Sequence, residues 1–349
     1  QNIYYILKYL LKKLKRMRKS MTIKEIAKLA NVSTSTISRV VNNSGYVKTD
    51  VRERVEKIIE ETGYRPNAYA KALLLNKSHT IGVILPKINS TSSGDTVAGI
   101  DEYISEKGYT LILGNSNHSI DREIELYQVF QEKMVDGIIL VATELTLRHK
   151  EIIRKSGIPT VILAQESLDS TPCVVFDEVF AASELAEYLI EKGRKNIAFI
   201  GVGEYDIAVG VKRKEGFLKV IREHNLNIPD TYIKKGDFSV ESGYKACQEL
   251  FEENKKKPDA IFAVTDKMAI GAMGYLFEKG LKIPKDIAVV GMGGGYFAKY
   301  LHTKITTSKY NYKDMGYEGA KLLYDIISEN TTRTKKIVMN HEIVIGQSS

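Results

Sequence analysis

The spacing of apolar residues changes character once along the chain, near residue 80. Before that point Ile23, Ile26, Ala27 and Ala30 recur at helical intervals. Thr22-Ile23-Lys24-Glu25 supplies a capping box, in which the Thr22 hydroxyl accepts from the Glu25 amide and the Glu25 carboxylate reaches back. Asn31-Val32 interrupts the pattern and Ser33 reads as a second N-cap, so the segment is helix, tight turn, helix. On the second helix, over 34–42, Ile37, Val40 and Val41 lie on one side, and Thr34, Ser35, Ser38, Arg39 and Asn42 on the other. Such short hydrogen-bonding side chains suit base edges and phosphates; a merely solvated face more often carries mixed Glu and Lys. A third helix is expected over Thr49–Thr62, closed by Gly63 and Pro66. Asn67 then caps about two turns ending near Leu75, too short to be stable alone. Its Leu73, Leu74 and Leu75 are more apolar than a solvated linker requires.

From Thr80 the pattern becomes short β-branched runs alternating with amphipathic helices. TIGVILP, YTLILGN, DGIILV and PTVILA are separated by helices near 94–107, 121–134 and 145–155; after a crossing near 163–176 come NIAFIGV, DAIFAVT and DIAVVGM. Runs of this kind are parallel strands buried on both faces, which predicts an α/β fold of two doubly wound parallel-sheet subdomains behind an all-α helix-turn-helix domain. A ligand then belongs in the crevice between the subdomains, outside the carboxyl ends of the strands. The closing KKIVMNHEIVIGQSS reads as strand and tail, with no heptad extension, which favours a dimer over a tetramer.

Composition adds direction to this plan. The 349 residues suit two or three domains, and Cys173 and Cys247 show no disulfide or metal spacing, in keeping with a reducing cytoplasm. The net charge of +8 is N-terminal: residues 1–20 hold seven Lys/Arg and no acid, whereas residues 81–349 hold 34 basic against 37 acidic side chains. That asymmetry suits a nucleic-acid module joined to an acidic sensor. The first twenty residues are neither a signal peptide nor long enough to span a bilayer, and Met21 reads as the natural start. GVGEYD and GMGGGY both miss the third glycine of a dinucleotide loop, and the six histidines lack ligand spacing. No nucleophile, base or metal constellation stands out, so neither an enzyme nor a metal or cofactor site is expected.

Residues 22–73 resemble the lactose/galactose repressor (LacI/GalR) family without a gap, through TIKEIAKLANVSTSTISRVVNNSGYV, RERVE and GYRPNAYAKAL. The resemblance implies a 1–20 basic extension, a 21–66 helix-turn-helix domain, a 67–79 hinge helix and linker, and an 80–349 effector-binding and dimerisation domain. It implies that Thr34, Ser35 and Arg39 contact bases, that Asn42 and Tyr46 anchor to backbone or groove, and that Leu73 wedges into the minor groove. Thr22, Ser33 and Asn67, at the helix starts, complete the DNA-facing candidates. In the second part, Arg213 matches a sugar-gripping arginine and Phe238 an aromatic on which a sugar stacks, and Thr265-Asp266 stands where the family usually has Asn-Asp. Strand ends add Lys87 and Gln165, and the crossing adds Phe176. Gly293 stands where many members carry aspartate; with Lys87, Lys212 and Arg213 potentially nearby, that loss favours an anionic sugar.

VDGIILVATELT, GVGEYDIAVGVKRKEGF and GMGGGYFAKYLH resemble sucrose-operon repressors, with trehalose repressors close behind. The expectation is therefore a cytoplasmic, homodimeric repressor of a sugar operon, released from operator DNA by a sugar or sugar-phosphate effector. Corepression by a purine or a phosphocarrier protein partner, and a solute receptor without DNA function, remain the alternatives.

Overall fold

The computed structural model describes residues 21–64, 77–329 and 335–349 and divides into two compact units, the second beginning at His79. Residues 1–20, Asn67, Leu73 and the helix expected at 67–75 lie outside the described residues.

In the first unit α1 (Ile23–Ala30), α2 (Thr34–Val41) and α3 (Thr49–Thr62) follow the expected boundaries. The capping box at α1 is formed, with the Thr22 amide donating to Glu25 Oε2 at 2.7 Å and the Glu25 amide to Thr22 Oγ1 at 3.3 Å. Asn31 ends α1 in the left-handed conformation (φ 51°), and Gly63 ends α3 likewise (φ 63°). Ile26, Ile37 and Val55 are fully buried together, with Ala27, Ala30, Val40 and Tyr64 around them. At about 1.5–3 kcal/mol for each large aliphatic side chain, those three hold this small unit together.

The second unit contains two six-stranded sheets. The first half comprises β1 (Thr80–Leu85), α4 (Thr91–Glu106), β2 (Thr110–Asn115), α5 (Ile120–Glu132), β3 (Gly137–Val141), α6 (Leu147–Ser156), β4 (Thr160–Leu163) and β5 (Cys173–Phe176). The second half comprises α7 (Glu178–Glu191), β6 (Ile197–Gly201), α8 (Arg213–Glu223), β7 (Ile233–Lys235), α9 (Val240–Glu253), β8 (Ala260–Ala263), α10 (Asp266–Glu278), β9 (Ala288–Gly293) and β10 (Thr306–Tyr310). The chain then returns through α11 (Tyr312–Glu329) and β11 (Lys336–Met339) to the first half and ends in β12 (His341–Val344) in the second. Strand order is β11-β5-β4-β3-β1-β2 in one sheet and β12-β10-β9-β8-β6-β7 in the other.

Two features differ from the expected plan. The chain crosses three times between the halves, at Asp177, Asn311 and Asn340, instead of once, and the last fifteen residues contribute to both sheets. The second sheet also carries one antiparallel edge, β12 against β10, with Tyr310 opposite His341. The short half-exposed edge strands β11 and β12 lack the continuous apolar runs that mark the central ones.

Helices pack closely where glycines meet backbone. A Cβ on Gly99 of α4 would fall 1.8 Å from the Lys313 carbonyl oxygen, and one on Gly316 of α11 2.1 Å from that of Thr96. Gly243 of α9 and Gly271 of α10 repeat the device in the second half. Gly99→Ala is therefore expected to destabilise the second unit by about 1–3 kcal/mol or more, since backbone cannot yield as a side-chain tip can. Urea unfolding checks this; an unchanged midpoint would show that α4 and α11 separate at little cost.

Candidate functional site

The first unit presents α2 as a polar surface. Ser33, Thr34, Ser35, Arg39, Asn42 and Tyr46 are exposed, Tyr46 to 84%, while Ile37 and Val40 turn inward. Not all these groups are free to contact DNA. The Ser33 hydroxyl accepts from the Thr36 amide at 3.1 Å, the Thr22 hydroxyl belongs to the capping box, and Asn42 Nδ2 donates to the Ser38 carbonyl at 2.9 Å. Arg39 lies beside Gly45, whose positive φ of 68° turns the chain there, and is exposed as a residue. The Ser35 hydroxyl is tied to that of Ser33 at 2.7 Å, which leaves Thr34 and Arg39 with the hydrogen-bonding capacity that helix formation does not use.

In the second unit, ten strand ends converge on one cleft of about 250 Å³, near the lower end of small-molecule sites. Lys87, Gln165, Phe176, Arg213, Phe238, Thr265, Asp266 and Gly293 all line it. Gln165 Nε2 donates to the Thr143 carbonyl at 2.7 Å within the first half, and the halves touch where it lies 3.5 Å from Asp206 Oδ1 and where the Ile207 amide reaches the Thr143 carbonyl at 3.2 Å. His118, from the loop after β2, faces Phe238, from the loop after β7, with rings parallel to within 6° and centroids 5.8 Å apart.

Backbone strain gathers around this cleft. His118 (φ 60°), Ala164 (φ 69°) and Phe238 (φ 71°) adopt the left-handed conformation without being glycine. The His118 loop is held from beneath by a buried chain in which Ser116 Oγ donates to Glu123 and Glu123 meets His149 Nε2 at 2.9 Å. The Thr146 amide donates to His149 Nδ1, so the proton of that ring sits on Nε2. Burial, and then Lys87, lowers the pKa of His118, keeping it neutral, and its Nδ1 is a buried polar atom without a partner among the described residues.

Arg213 arrives through local geometry. Asp206 caps a π-helical turn, Ile207–Lys212, by accepting from the Val209 amide at 3.0 Å, and α8 begins directly after it with Arg213. The guanidinium is buried and matched: Nε donates to Glu178 Oε2 at 2.7 Å, Nη2 to Glu178 Oε1 at 3.1 Å and Nη1 to the Val264 carbonyl at 2.6 Å. The expected surplus of positive charge is therefore absent. Lys212 pairs with Glu166 at 2.7 Å and does not line the cleft, and among the described residues only Lys87 and Lys267 add cations at its exposed margin. Against them stand Asp95, Glu178, Asp206 and Asp266 in the lining.

Asp266 is spent on the loop after β9, accepting from the Gly295 amide and from Thr307 Oγ1, both at 2.6 Å. Gly293 (φ 125°) approaches the same carboxylate: a Cβ there would be 3.7 Å from Asp266 Oδ2. An aspartate at 293 would pair a strained backbone with like-charge repulsion, which accounts for the departure without invoking an anionic ligand.

This two-unit arrangement has counterparts. Residues 22–67 match the model for bacterial regulatory proteins of the lacI family, and residues 186–349 match a periplasmic binding protein-like domain. Catabolite control protein A of Priestia megaterium is 34% identical over 331 residues, covering 95% of this chain and 99% of that protein. The chain belongs to the LacI family. Among solved structures, the transcriptional regulator CelR–cellobiose complex is 27% identical with a TM-score of 0.72, covering 94% of this chain and 100% of that one. The Lac repressor dimer bound to operator and the anti-inducer ONPF shares the fold at 22% identity, with a TM-score of 0.84 and coverage of 95% and 99%. As a LacI-family member the protein is a DNA-binding transcriptional repressor with an effector-binding domain, and the relatives are regulators and not enzymes. Among the described residues, no helix is long and apolar enough to cross a membrane.

Sequence reasoning missed His118, Glu178, Asp206 and Tyr310 in the lining. His118 carried a usable signal, since GNSNHS places small polar residues at the carboxyl end of a strand. Asp206 is testable through pH. Burial raises its carboxyl from 3.8 to about 6 despite the Val209 amide, so ionising it disfavours the folded state. Its contribution to stability is full below about pH 4 and is lost as pH rises through about 6. Asp206→Asn lacks that slope, so its stability relative to the parent should grow across the window, to about 3 kcal/mol at pH 7. Urea unfolding of both proteins from pH 4 to 7 measures it; parallel curves would show that Asp206 ionises freely.

Proposed function

We propose that this protein is a cytoplasmic, homodimeric repressor of a carbohydrate-utilisation operon, released from its operator by an uncharged sugar of mono- to disaccharide size. The observation that carries the effector class is the lining at its centre: the His118–Phe238 ring pair with the unpartnered His118 Nδ1, and a guanidinium already neutralised by Glu178. Sugars present apolar ring faces to aromatics and hydroxyls to unpaired polar atoms. The cellobiose bound to CelR supports the same class. The resemblance of three segments to sucrose-operon repressors makes sucrose the first sugar to test. Exposed Tyr296, Phe297 and Tyr300 on one surface turn support self-association.

A sugar wedged between the halves changes their relative free energies and, through them, the DNA-competent state. Coupling of about 1–3 kcal/mol gives a roughly 5- to 150-fold change in operator affinity, and DNA weakens sugar binding by the same factor. A phosphorylated sugar would meet no unmatched cation in the depth of the cleft.

Two outcomes are expected with an operator selected from random duplexes by the protein itself. Arg39→Ala should lose discrimination at one or two base pairs, by about 1–3 kcal/mol each, as fluorescence anisotropy on single-substitution duplexes would show. Uniform weakening on every duplex would assign Arg39 to phosphates instead. Phe238→Ala should keep operator affinity but lose release by sucrose, its sugar affinity falling at least roughly tenfold, or about 1.4 kcal/mol. If sugars leave operator binding unchanged while hypoxanthine tightens it, the protein is a corepressor-dependent regulator.

A further inference from the structure

Arginine recognises carboxylates and phosphates by presenting two parallel N–H groups along one edge of its planar guanidinium. In this cleft that edge of Arg213 is already filled. Glu178 takes it with both oxygens, at 2.7 and 3.1 Å, and the two side chains are only 3% and 8% exposed. On the far side of the guanidinium, Nη1 donates to the Val264 carbonyl at 2.6 Å. Glu178 is secured from a second side, because the Tyr310 hydroxyl donates to its Oε2 at 2.7 Å. Burial, then Glu178, raises the Tyr310 pKa well above its ordinary value, so the phenol keeps the proton it donates. Glu178 is the first residue of α7, one residue beyond the crossing at Asp177, so its carboxylate is delivered by the fold and not by a mobile loop.

We propose that Glu178 is a specificity-determining residue: a built-in counter-anion that occupies the anion-binding edge of Arg213 and restricts the cleft to uncharged, hydroxylated effectors. An external carboxylate or phosphate would have to displace a tethered carboxylate from a buried, twice-held position. It would then stand among the carboxylates of Glu178, Asp206 and Asp266. A neutral sugar meets neither obstacle. This inference rests on the cleft being the effector site.

The test uses full-length protein and inorganic sulfate at constant ionic strength. Glu178→Gln keeps the shape but frees the edge of Arg213; calorimetry should show saturable sulfate binding roughly tenfold or more tighter than in the parent. The double variant E178Q/R213M should lose it. Should E178Q not fold, Glu178→Ala leaves a space that acetate can fill, so acetate should raise the unfolding midpoint of E178A and not that of the parent. The proposal is overturned if neither variant gains anion binding over the parent, or if the parent binds glucuronate more tightly than glucose. A failure of the sugar reading looks different: the variants gain anions as expected, yet no neutral sugar binds the parent.

Discussion

The second unit depends on one buried ion pair, Arg213 with Glu178, placed where the chain passes between its halves. Glu178 follows the first crossing, Tyr310 precedes the second, and the guanidinium lies 5.0 Å from the Tyr310 ring centre while Glu178 accepts the Tyr310 hydroxyl. His341, just past the third crossing, packs against Phe180 and Tyr310 and meets Glu184 at 2.7 Å. Two desolvated charges are costly to bring together, and either alone would be far more so. The pair therefore holds the crossings in one arrangement and, by the same contacts, removes a cation from the ligand's reach. Position and chemistry of the cleft come from one interaction.

The remaining lining follows from that frame. With the halves held at the crossings, loops at the far side of the cleft bring His118 opposite Phe238 and Gln165 toward Asp206. Three residues there hold left-handed backbone that an unconstrained chain avoids, which indicates that the surrounding contacts over-determine the loops. Such a cleft is prepared to take a ligand with ring faces and hydroxyls, and it offers a ligand a way to favour one disposition of the halves.

The helix starts, the polar face of α2 and the central strands were legible because each rests on local rules: capping spacing, helical period and β-branched runs. All eight effector candidates line one cleft because strand ends converge in a doubly wound fold; strand ends pointed to Lys87 and Gln165, whereas Arg213 and Phe238 were reached only through the family resemblance. Their electrostatics were not legible. Arg213 and Lys212 look alike in sequence as neighbouring cations, but Glu178 neutralises one and Glu166 draws the other out of the cleft. Glu178 sits 35 residues from Arg213, and no local pattern ties them. The second and third crossings were missed for a related reason: edge strands such as β11 and β12 are defined by what they pair with, and their half-exposed residues give little period of their own.

The central claim, that Arg213 and Glu178 act as one buried unit, is tested most directly by a double-mutant cycle of E178Q and R213M, read as unfolding free energy of the full-length protein in urea. The account predicts that each single variant is strongly destabilised, because each leaves a buried partner unmatched, and that the double variant is more stable than the sum of the singles allows, by roughly 2 kcal/mol or more. Additivity within about 0.5 kcal/mol would contradict it, since the two charges would then contribute independently.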